Sequence, residues 1–508
     1  MMKQIRLFYL TILVVLFFGS VAVGQNKPIA DGKSKFLGCA YSNPQSVGFT
    51  ALWNQVTPEN GGKWGSAEGT RNVMRWTEMD ASYNLAKNNG IPFKQHTLIW
   101  GSQQPSWIGA LDTTAQRQEI EQWFSLLAER YKNMEYIDVV NEPLHNAPNG
   151  MLPWGSSTPN VDYAKALGGA GVTGWDWILK SFRMARKYFP DSKLILNEYS
   201  VINSSTETQK YIQIINLLKA ENLIDGIGEQ AHAFTTSGAT ASTMKSNLDA
   251  LAATGIPIYL TEMDIDGATD LAQLKEMQRV FTVFWEHPGV KGITMWGFRP
   301  GMWRTDQGAY LVTPAGQDRP ALTWMKAYVN DTLVNAASMD IVIPNATTDT
   351  IVKGTTVNLL ANIQPENTTI KNVTWTVAPT SLATIDANGK LTANAKGRIK
   401  VTATAWDGSG VTASKIITIA DSPTGLAERI RAEQVQVFPN PVSEGSFTIS
   451  GIDGIKQIEL LDLTGKKVNE FRNLNQSSLS VDVDVPQGVY ILNLSDGKQS
   501  VRKKIVIR

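Results

Sequence analysis

Tyr136-Ile137-Asp138-Val139-Val140-Asn141-Glu142 and Ile258-Tyr259-Leu260-Thr261-Glu262-Met263-Asp264 are two short β-prone runs, each ending in a cluster built on a glutamate. Runs of this length without polar alternation suit strands buried on both faces of a parallel sheet. Six further runs lie at 36–40, 51–56, 93–98, 193–196, 226–229 and 292–296, which makes eight with 136–140 and 257–261. Between them the pattern turns helical. Ile120, Trp123, Phe124, Leu127 and Tyr131 fall on one face, as do Ile178, Phe182, Ala185 and Phe189. Thr173, with Asp176 three residues on, reads as a capping box for the second of these helices, and Pro190 as its stop. Eight alternations in about 300 residues predict an α/β fold, the (β/α)8 TIM barrel.

In such a barrel the C-terminal strand ends share one mouth, so the residues that close the runs should meet there. Glu59 and Asn60 close the second, with Lys63 and Trp64 beyond. His96 closes the third, followed by Trp100 and Gln103. Asn141 and Glu142 close the fourth, Glu229, Gln230 and His232 the sixth, and Glu262 and Asp264 the seventh. Trp296 closes the eighth, with Trp303 and Arg304 beyond it. Asn197-Glu198-Tyr199 ends the fifth and reads as support. A core needs none of these groups, since burying an unpaired one costs roughly 2–7 kcal/mol. Two carboxylates facing one pocket are the minimum equipment for cleaving a glycosidic bond, one as acid/base and one as nucleophile.

At 508 residues the chain exceeds one ordinary core. Its 43% hydrophobic and 18% charged residues read as globular, and a net charge of +1 gives no pull towards nucleic acid or anionic membranes. Lys3 and Arg6 precede the apolar run 7–18, and Ala22-Val23-Gly24 offers small residues, so residues 1–24 read as a signal peptide of a secreted protein. Cys39 is the only cysteine, which excludes an intramolecular disulfide and reads as a buried, inert thiol. Four scattered histidines give no metal-ligand spacing, so no metal or cofactor is expected. Trp64 and Trp107 read as loop packing, and His145 and His287 as surface or structural groups.

Helical pattern vanishes after Tyr328. Alternating runs at 356–363, 373–377, 383–385, 398–405 and 411–419, with a hairpin signal at Asn388-Gly389, predict a small β-sandwich over 336–420 with Trp375 anchoring its core. A polar linker is expected at 421–434. A second all-β sandwich unit is expected over 435–508, with turns at Thr464-Gly465 and Gln487-Gly488.

Taken in order, Thr57-Pro58-Glu59-Asn60 with Lys63-Trp64, His96-Thr97-Leu98-Ile99-Trp100 with Gln103, Asp138-Val139-Val140-Asn141-Glu142, Gln230-Ala231-His232 and Thr261-Glu262-Met263-Asp264 resemble the motifs of glycoside hydrolase family 10. The resemblance covers about residues 30–330 within an expected catalytic domain of 25–332. It implies a retaining endo-β-1,4-xylanase acting on xylan or xylo-oligosaccharides, without cofactor and as a monomer. The same machinery acting on β-1,4-glucan stays open as the alternative, with a non-catalytic carbohydrate-binding barrel behind it. The resemblance makes Glu262 the nucleophile and Glu142 the acid/base. It has His232 bond the nucleophile, Asp264 fix the tautomer of His232, and Asn141 hold the sugar 2-hydroxyl. Lys63, His96, Trp100 and Gln230 would line the cleavage subsite and Glu59 and Asn60 the next one, while Trp296 and Trp303 cover sugar faces near Gln103. Gly61-Gly62, Gly101, Pro143-Leu144 and the short loop 298–303 depart from the family pattern and bear on the outer subsites.

Residues 336–420 resemble a bacterial immunoglobulin-like domain of the BIG type, which implies a spacer or weak binding module. Phe438-Pro439-Asn440-Pro441, Gly445-Ser446-Phe447, Leu461-Asp462-Leu463-Thr464-Gly465-Lys466 and Gly488-Val489-Tyr490-Ile491-Leu492 resemble the C-terminal sorting domain of the type IX secretion system. That resemblance implies the type IX machinery as a partner and a secreted or cell-surface location.

Overall fold

The computed structural model describes residues 27–153, 160–421, 434–472, 474, 476–497 and 499–508. The expected signal peptide lies outside the described residues, as do residues 422–433 of the expected linker. Two compact units divide the chain.

The first unit contains the barrel. Its parallel strands are β1 (Phe36–Tyr41), β2 (Val56–Pro58), β3 (Lys94–Ile99), β4 (Tyr136–Asn141), β5 (Lys193–Glu198), β6 (Gly226–Glu229), β7 (Ile258–Met263) and β8 (Val290–Met295). They follow one another in the order β2-β1-β8-β7-β6-β5-β4-β3. The seam between β2 and β3 is bridged at Val56–Phe93, where the Val56 N–H donates to the Pro92 carbonyl at 3.0 Å. Helices α1 (Thr77–Asn88), α2 (Thr113–Arg130), α3 (Asp176–Tyr188), α4 (Ser205–Ala220), α5 (Ala241–Ala252), α6 (Asp270–Glu286) and α7 (Pro320–Val329) follow β2 to β8 in turn. Each parallel step needs such a crossover, and the helices cover the outer face of the strands. The predicted faces of α2 and α3 are buried, including Ile120, Trp123, Phe124 and Leu127, and Ile178, Phe182 and Ala185.

Two local expectations fail. The strand expected over 51–56 starts only at Val56, because Phe49–Ala51 is a 3-10 turn. Trp53 is fully buried against Phe298 at 5.5 Å, so the apolar character of this stretch reflects loop packing and not extension. The Thr173 capping box also fails, since Asp176 is itself the first residue of α3 and Trp175 precedes it without a side-chain cap. Asp176 accepts from the N–H groups of Val172 and Thr173 and from the Thr173 hydroxyl, which folds the preceding turn instead. Helix α3 ends at Tyr188 with Phe189 as its C-cap, before Pro190 as expected.

Beyond α7 the described residues are all-β. Residues 356–363 divide into Thr356–Asn358 and Leu360–Gln364, because Leu359 is buried and its N–H donates to Gly389 across the turn. Ala383–Ile385 and Lys390–Ala393 form the hairpin signalled by Asn388-Gly389, with Gly389 at φ 79. Trp375 is half-buried, with its ring against Gly389. The buried positions of this region are Leu391, Ala393, Ile399, Val401, Ile417 and Ile419, so Trp375 does not anchor the core. The described residues within 436–508 form a three-stranded and a four-stranded antiparallel sheet around Phe447, Ile449, Ile458, Leu460, Leu492 and Ile505. Among the described residues no helix is long and apolar enough to cross a membrane.

Tyr211 of α4 ties the helical layer to the strands. Its buried hydroxyl reaches the carbonyls of Leu196 on β5 at 2.6 Å and Gly228 on β6 at 3.0 Å. Tyr211→Phe removes this buried hydrogen bond, so it is expected to cost roughly 0.5–1.5 kcal/mol. Urea unfolding monitored by tryptophan fluorescence checks this, with a lower midpoint at unchanged slope as the expected result.

Candidate active site

Glu142 follows β4 directly and has a left-handed backbone, φ 56. A non-glycine residue there costs of order 1–3 kcal/mol and persists only where its surroundings over-determine it. Here the Glu142 N–H donates to the Asn197 carbonyl at 2.8 Å, and the Asn146 N–H donates to the Glu142 carbonyl at 2.8 Å. The side chain is turned into the barrel mouth. Its Oε2 accepts from Trp100 Nε1 at 2.9 Å and from Asn146 Nδ2. Its Oε1 accepts from Gln230 Nε2 at 2.8 Å and Asn141 Nδ2 at 3.2 Å.

Glu262 lies near the end of β7. Its Oε1 accepts from Asn197 Nδ2 at 2.8 Å, and its Oε2 lies 3.3 Å from His232 Nε2. The opposite ring nitrogen, His232 Nδ1, lies 2.7 Å from Asp264 Oδ2, which orients the ring so that Nε2 faces Glu262. Asp264 is itself held by the Ala233 N–H at 2.7 Å and Trp303 Nε1 at 3.0 Å. The two carboxylates belong to one amide network. Asn197 Nδ2 also donates to Asn141 Oδ1 at 2.7 Å, and the Thr261 hydroxyl donates to Asn197 Oδ1 at 2.6 Å.

Under this floor lies a buried charge cluster that the motifs do not announce. Lys94 Nζ donates to Asp138 Oδ2 at 2.9 Å, and His96 Nδ1 lies 3.0 Å from the same oxygen and 3.9 Å from Glu262 Oε1. A lysine within an inner strand was itself the available signal, because it must find a carboxylate.

The environments drive the two acids apart. Burial raises the Glu142 pKa, and the charge of Glu262 adds to this against the donors Gln230, Asn146 and Trp100. Burial would raise Glu262 too, but His96, His232 and Lys94 outweigh it and bring the group down to about 2. Burial would lower His232, yet Asp264 and Glu262 outweigh it and push the imidazole up to about 9. Two carboxyl groups shifted in opposite directions are a proton donor and a permanent anion.

Both glutamates line one cavity of about 470 Å³ together with Lys63, His96, Trp100, Gln103, Gln230, His232, Trp296 and Trp303. Asn141 and Asp264 sit buried around it and orient the glutamate and histidine. Glu59 and Asn60 lie off its wall; exposed Asn60 accepts from Lys63 Nζ at 2.9 Å. Asn146, Pro153, Ser102, Tyr199, Phe234 and Arg304 complete the lining. Most of these are loop residues whose reach depends on backbone course and not on strand spacing. A larger cavity, about 610 Å³, is lined by Lys33, Lys35, Trp285, Lys291 and Tyr328, next to the strand starts of β1 and β8, and holds none of these groups. His145 is half-buried against Glu198 at 2.9 Å, and His287 is buried and pairs with Asp249 at 3.1 Å. Trp64 and Trp107 anchor loops through Glu68. Cys39 is fully buried, which pushes its thiol pKa up. Among the described residues no group of His, Cys, Asp and Glu is arranged to hold a metal ion.

Three family models match the chain: Glycosyl hydrolase family 10 over residues 30–328, Bacterial Ig-like domain (group 2) over 339–416, and Secretion system C-terminal sorting domain over 436–508. Endo-1,4-beta-xylanase B of Cellvibrio japonicus is 42% identical over 295 residues, covering 57% of this chain and 45% of that protein. The chain thus spans less than half the length of that relative. Endo-1,4-beta-xylanase of Agaricus bisporus is 30% identical over 257 residues, covering 48% of this chain and 72% of that one. In fold, the GH10 structure from Paenibacillus barcinonensis matches with a TM-score of 0.52 at 23% identity, covering 60% of this chain and 97% of that one. Native xylanase 10B from Thermotoga maritima matches at 0.50 with 24% identity and the same coverage.

Two outcomes follow from the floor. Asp138→Ala strands Lys94 without its carboxylate and is expected to destabilise the barrel by roughly 3–5 kcal/mol in chemical denaturation. The His232 pKa is raised, so its contribution to stability is complete below pH 6.5 and is lost as the pH rises through about 9. In Asp264→Asn the NMR titration of the His232 ring is expected to move down, and this alkaline stability loss to shrink.

Proposed function

Because this chain belongs to glycosyl hydrolase family 10, we propose that it is a retaining endo-β-1,4-xylanase with Glu262 as nucleophile and Glu142 as acid/base. The observation that carries this reading is the opposed environment of two carboxyl groups on one cavity wall. In the first step Glu262 attacks the anomeric carbon as the glycosidic C–O bond breaks. Glu142 gives its proton to the leaving oxygen. The ester removes the charge of Glu262, so one cause of the raised Glu142 pKa disappears and Glu142 becomes a base. It then takes a proton from water, whose oxygen attacks the anomeric carbon and releases Glu262 as a carboxylate.

The remaining side chains take roles consistent with their contacts. His232, oriented by Asp264, keeps Glu262 ionised. Asn141 donates one amide hydrogen to Glu142 and has a second for the sugar 2-hydroxyl. Lys63, His96, Gln103 and Gln230 offer polar contacts around the bond to be cut, and Glu59 and Asn60 extend this through Lys63 to the next sugar. Trp100, Trp296 and half-exposed Trp303 offer flat apolar faces. Every catalytic group comes from one chain, so the proposed monomer is sufficient for the chemistry. The catalytic domain is proposed to span residues 25–332, the immunoglobulin-like spacer 336–420 and the sorting domain 435–508. The sorting domain directs the protein to the cell surface or beyond through the type IX secretion system.

Glu262→Ala is expected to abolish turnover. Glu142→Ala is expected to lose on the order of 10²–10⁴ on xylan, yet to form the glycosyl-enzyme from an activated aryl glycoside. Mass spectrometry of the trapped intermediate and reducing-end release check this, and wild-type xylan hydrolysis by Glu142→Ala would remove the acid/base role. Faster reducing-end release from soluble cellulose than from xylan would replace xylan by β-1,4-glucan as the substrate.

A further inference from the structure

Asp264 holds the turn after β6 by two contacts. One oxygen accepts from the Ala233 N–H at 2.7 Å, and the other lies 2.7 Å from His232 Nδ1. Glu198, at the end of β5, holds the turn after β4 in the same way. Its Oε2 accepts from the Leu144 N–H at 2.7 Å, and its Oε1 lies 2.9 Å from His145 Nδ1. In each case the carboxyl group comes from the next strand around the barrel, β5 beside β4 and β7 beside β6. In each case the turn opens on a residue with left-handed backbone, Glu142 at φ 56 and Ala231 at φ 59. The first pair serves the nucleophile, since His232 faces Glu262. The second stands on the turn that begins with Glu142, and the mechanism leaves it unused.

That turn depends on outside partners. Pro143 has no N–H to give. The N–H groups of His145 and Asn146 both point back at the Glu142 carbonyl, at 3.3 and 2.8 Å. The Leu144 N–H goes to Glu198. A left-handed backbone at a non-glycine residue persists only where such contacts hold it. Glu198 is fully buried and is pinned in turn by the Tyr199 N–H at 2.8 Å, while the His145 ring stacks on Tyr199 at 4.3 Å. Burial raises the Glu198 carboxyl to about 7 against the pull of His145. Whichever of the two holds the shared proton, both backbone N–H groups stay accepted, because each carboxyl oxygen keeps a lone pair.

We propose that Glu198 and His145 are a positioning pair for Glu142, holding the turn that aims it as Asp264 and His232 hold the nucleophile. This rests on Glu142 being the acid/base. Neither residue lies against the reacting atoms, so the pair acts through the backbone of 142–146. Three acids face the His145 ring: Glu198 of β5, Glu207 of α4 and Glu142 of its own turn. Burial would lower the imidazole, but these outweigh it, Glu198 most, and its pKa rises above the usual 6.5.

The experiment uses the full chain. Methionine matches glutamate in length and offers no strong acceptor, so Glu198→Met removes the Leu144 and His145 contacts together. Its kcat on xylan is expected to fall roughly 10–100-fold, the cost of a misaimed group. A dinitrophenyl xylobioside separates aim from general damage. Its leaving group needs no proton, so the burst reports Glu262, and the steady phase that follows reports Glu142 as base. The burst is expected at the wild-type rate and the steady phase slowed by the same factor as xylan. Glu198→Gln can still accept from the Leu144 N–H and is expected to fall between Glu198→Met and wild type. In the wild-type enzyme the His145 ring should titrate above pH 6.5 by NMR, a measurement that needs no variant to fold. Equal slowing of burst and steady phase, an unchanged xylan rate in Glu198→Met, or a ring titrating at or below 6.5 would overturn the proposal. Glu142→Ala separates the two readings. If it cleaves xylan like the wild type, the acid/base assignment fails; if it keeps the burst and loses the steady phase while Glu198→Met behaves as wild type, only the role of Glu198 and His145 fails.

Discussion

A buried carboxylate stays charged only where positive groups reach it, and the floor of this barrel is organised around that constraint. Lys94 and His96 come from β3 and His232 from the turn after β6, and all three bear on Glu262. Asp138 on β4 and Asp264 after β7 hold these bases in place, at 2.9 Å from Lys94, 3.0 Å from His96 and 2.7 Å from His232. Desolvating charges in such a floor would be prohibitive for any one alone. Alternating in sign across neighbouring strands, they become the reason the nucleophile is an anion. The parallel register makes this possible, since it brings the ends of β3, β4, β6 and β7 to one level.

Glu142 sits on the same amide network yet in the opposite electrostatic setting. Its four hydrogen-bond donors are all neutral: an indole and three amides. Neutral donors orient a carboxyl group without forcing it to ionise, whereas a cation would do both. Asn197 is the joint between the two settings, with one amide nitrogen on both Asn141 and Glu262 and its oxygen held by Thr261. The sites are therefore mechanically coupled and electrically distinct.

What could be read from the sequence follows from how local each feature is. Strand ends were legible because a polar residue closing an apolar run has few places to go but the barrel mouth, and Glu142, Glu262, His96, Gln230, His232 and Trp296 all arrive there. The stretch 51–56 misled because Trp53 is buried by a loop and not by a sheet, and apolar content alone does not separate the two. Thr173 and Asp176 carry the spacing of a capping box, but their hydrogen bonds close a turn one step earlier. Trp375 fits the pattern of a sandwich anchor and yet sits half-exposed, since small aliphatic residues already fill that core. Asn146 was silent because its place depends on loop geometry set by distant partners such as Gly101 and Glu198.

The rim follows different physics from the floor. Arg304 bonds Asp266 through two nitrogens, reaches towards Asp264 at 3.6 Å, and lies over the rings of Trp303 at 5.3 Å and Phe234 at 5.8 Å. A planar guanidinium can do this because it pairs in its plane and stacks on its faces. The same Trp303 donates to Asp264 at 3.0 Å, so a half-exposed platform is tied to the group that orients His232. A sugar resting on Trp303 would therefore bear, through one shared carboxylate, on the histidine beside the nucleophile. Substrate contact at the rim and charge at the floor meet at Asp264, which explains why a fully buried aspartate with no reach into the cavity belongs to the site as firmly as the two glutamates that line it.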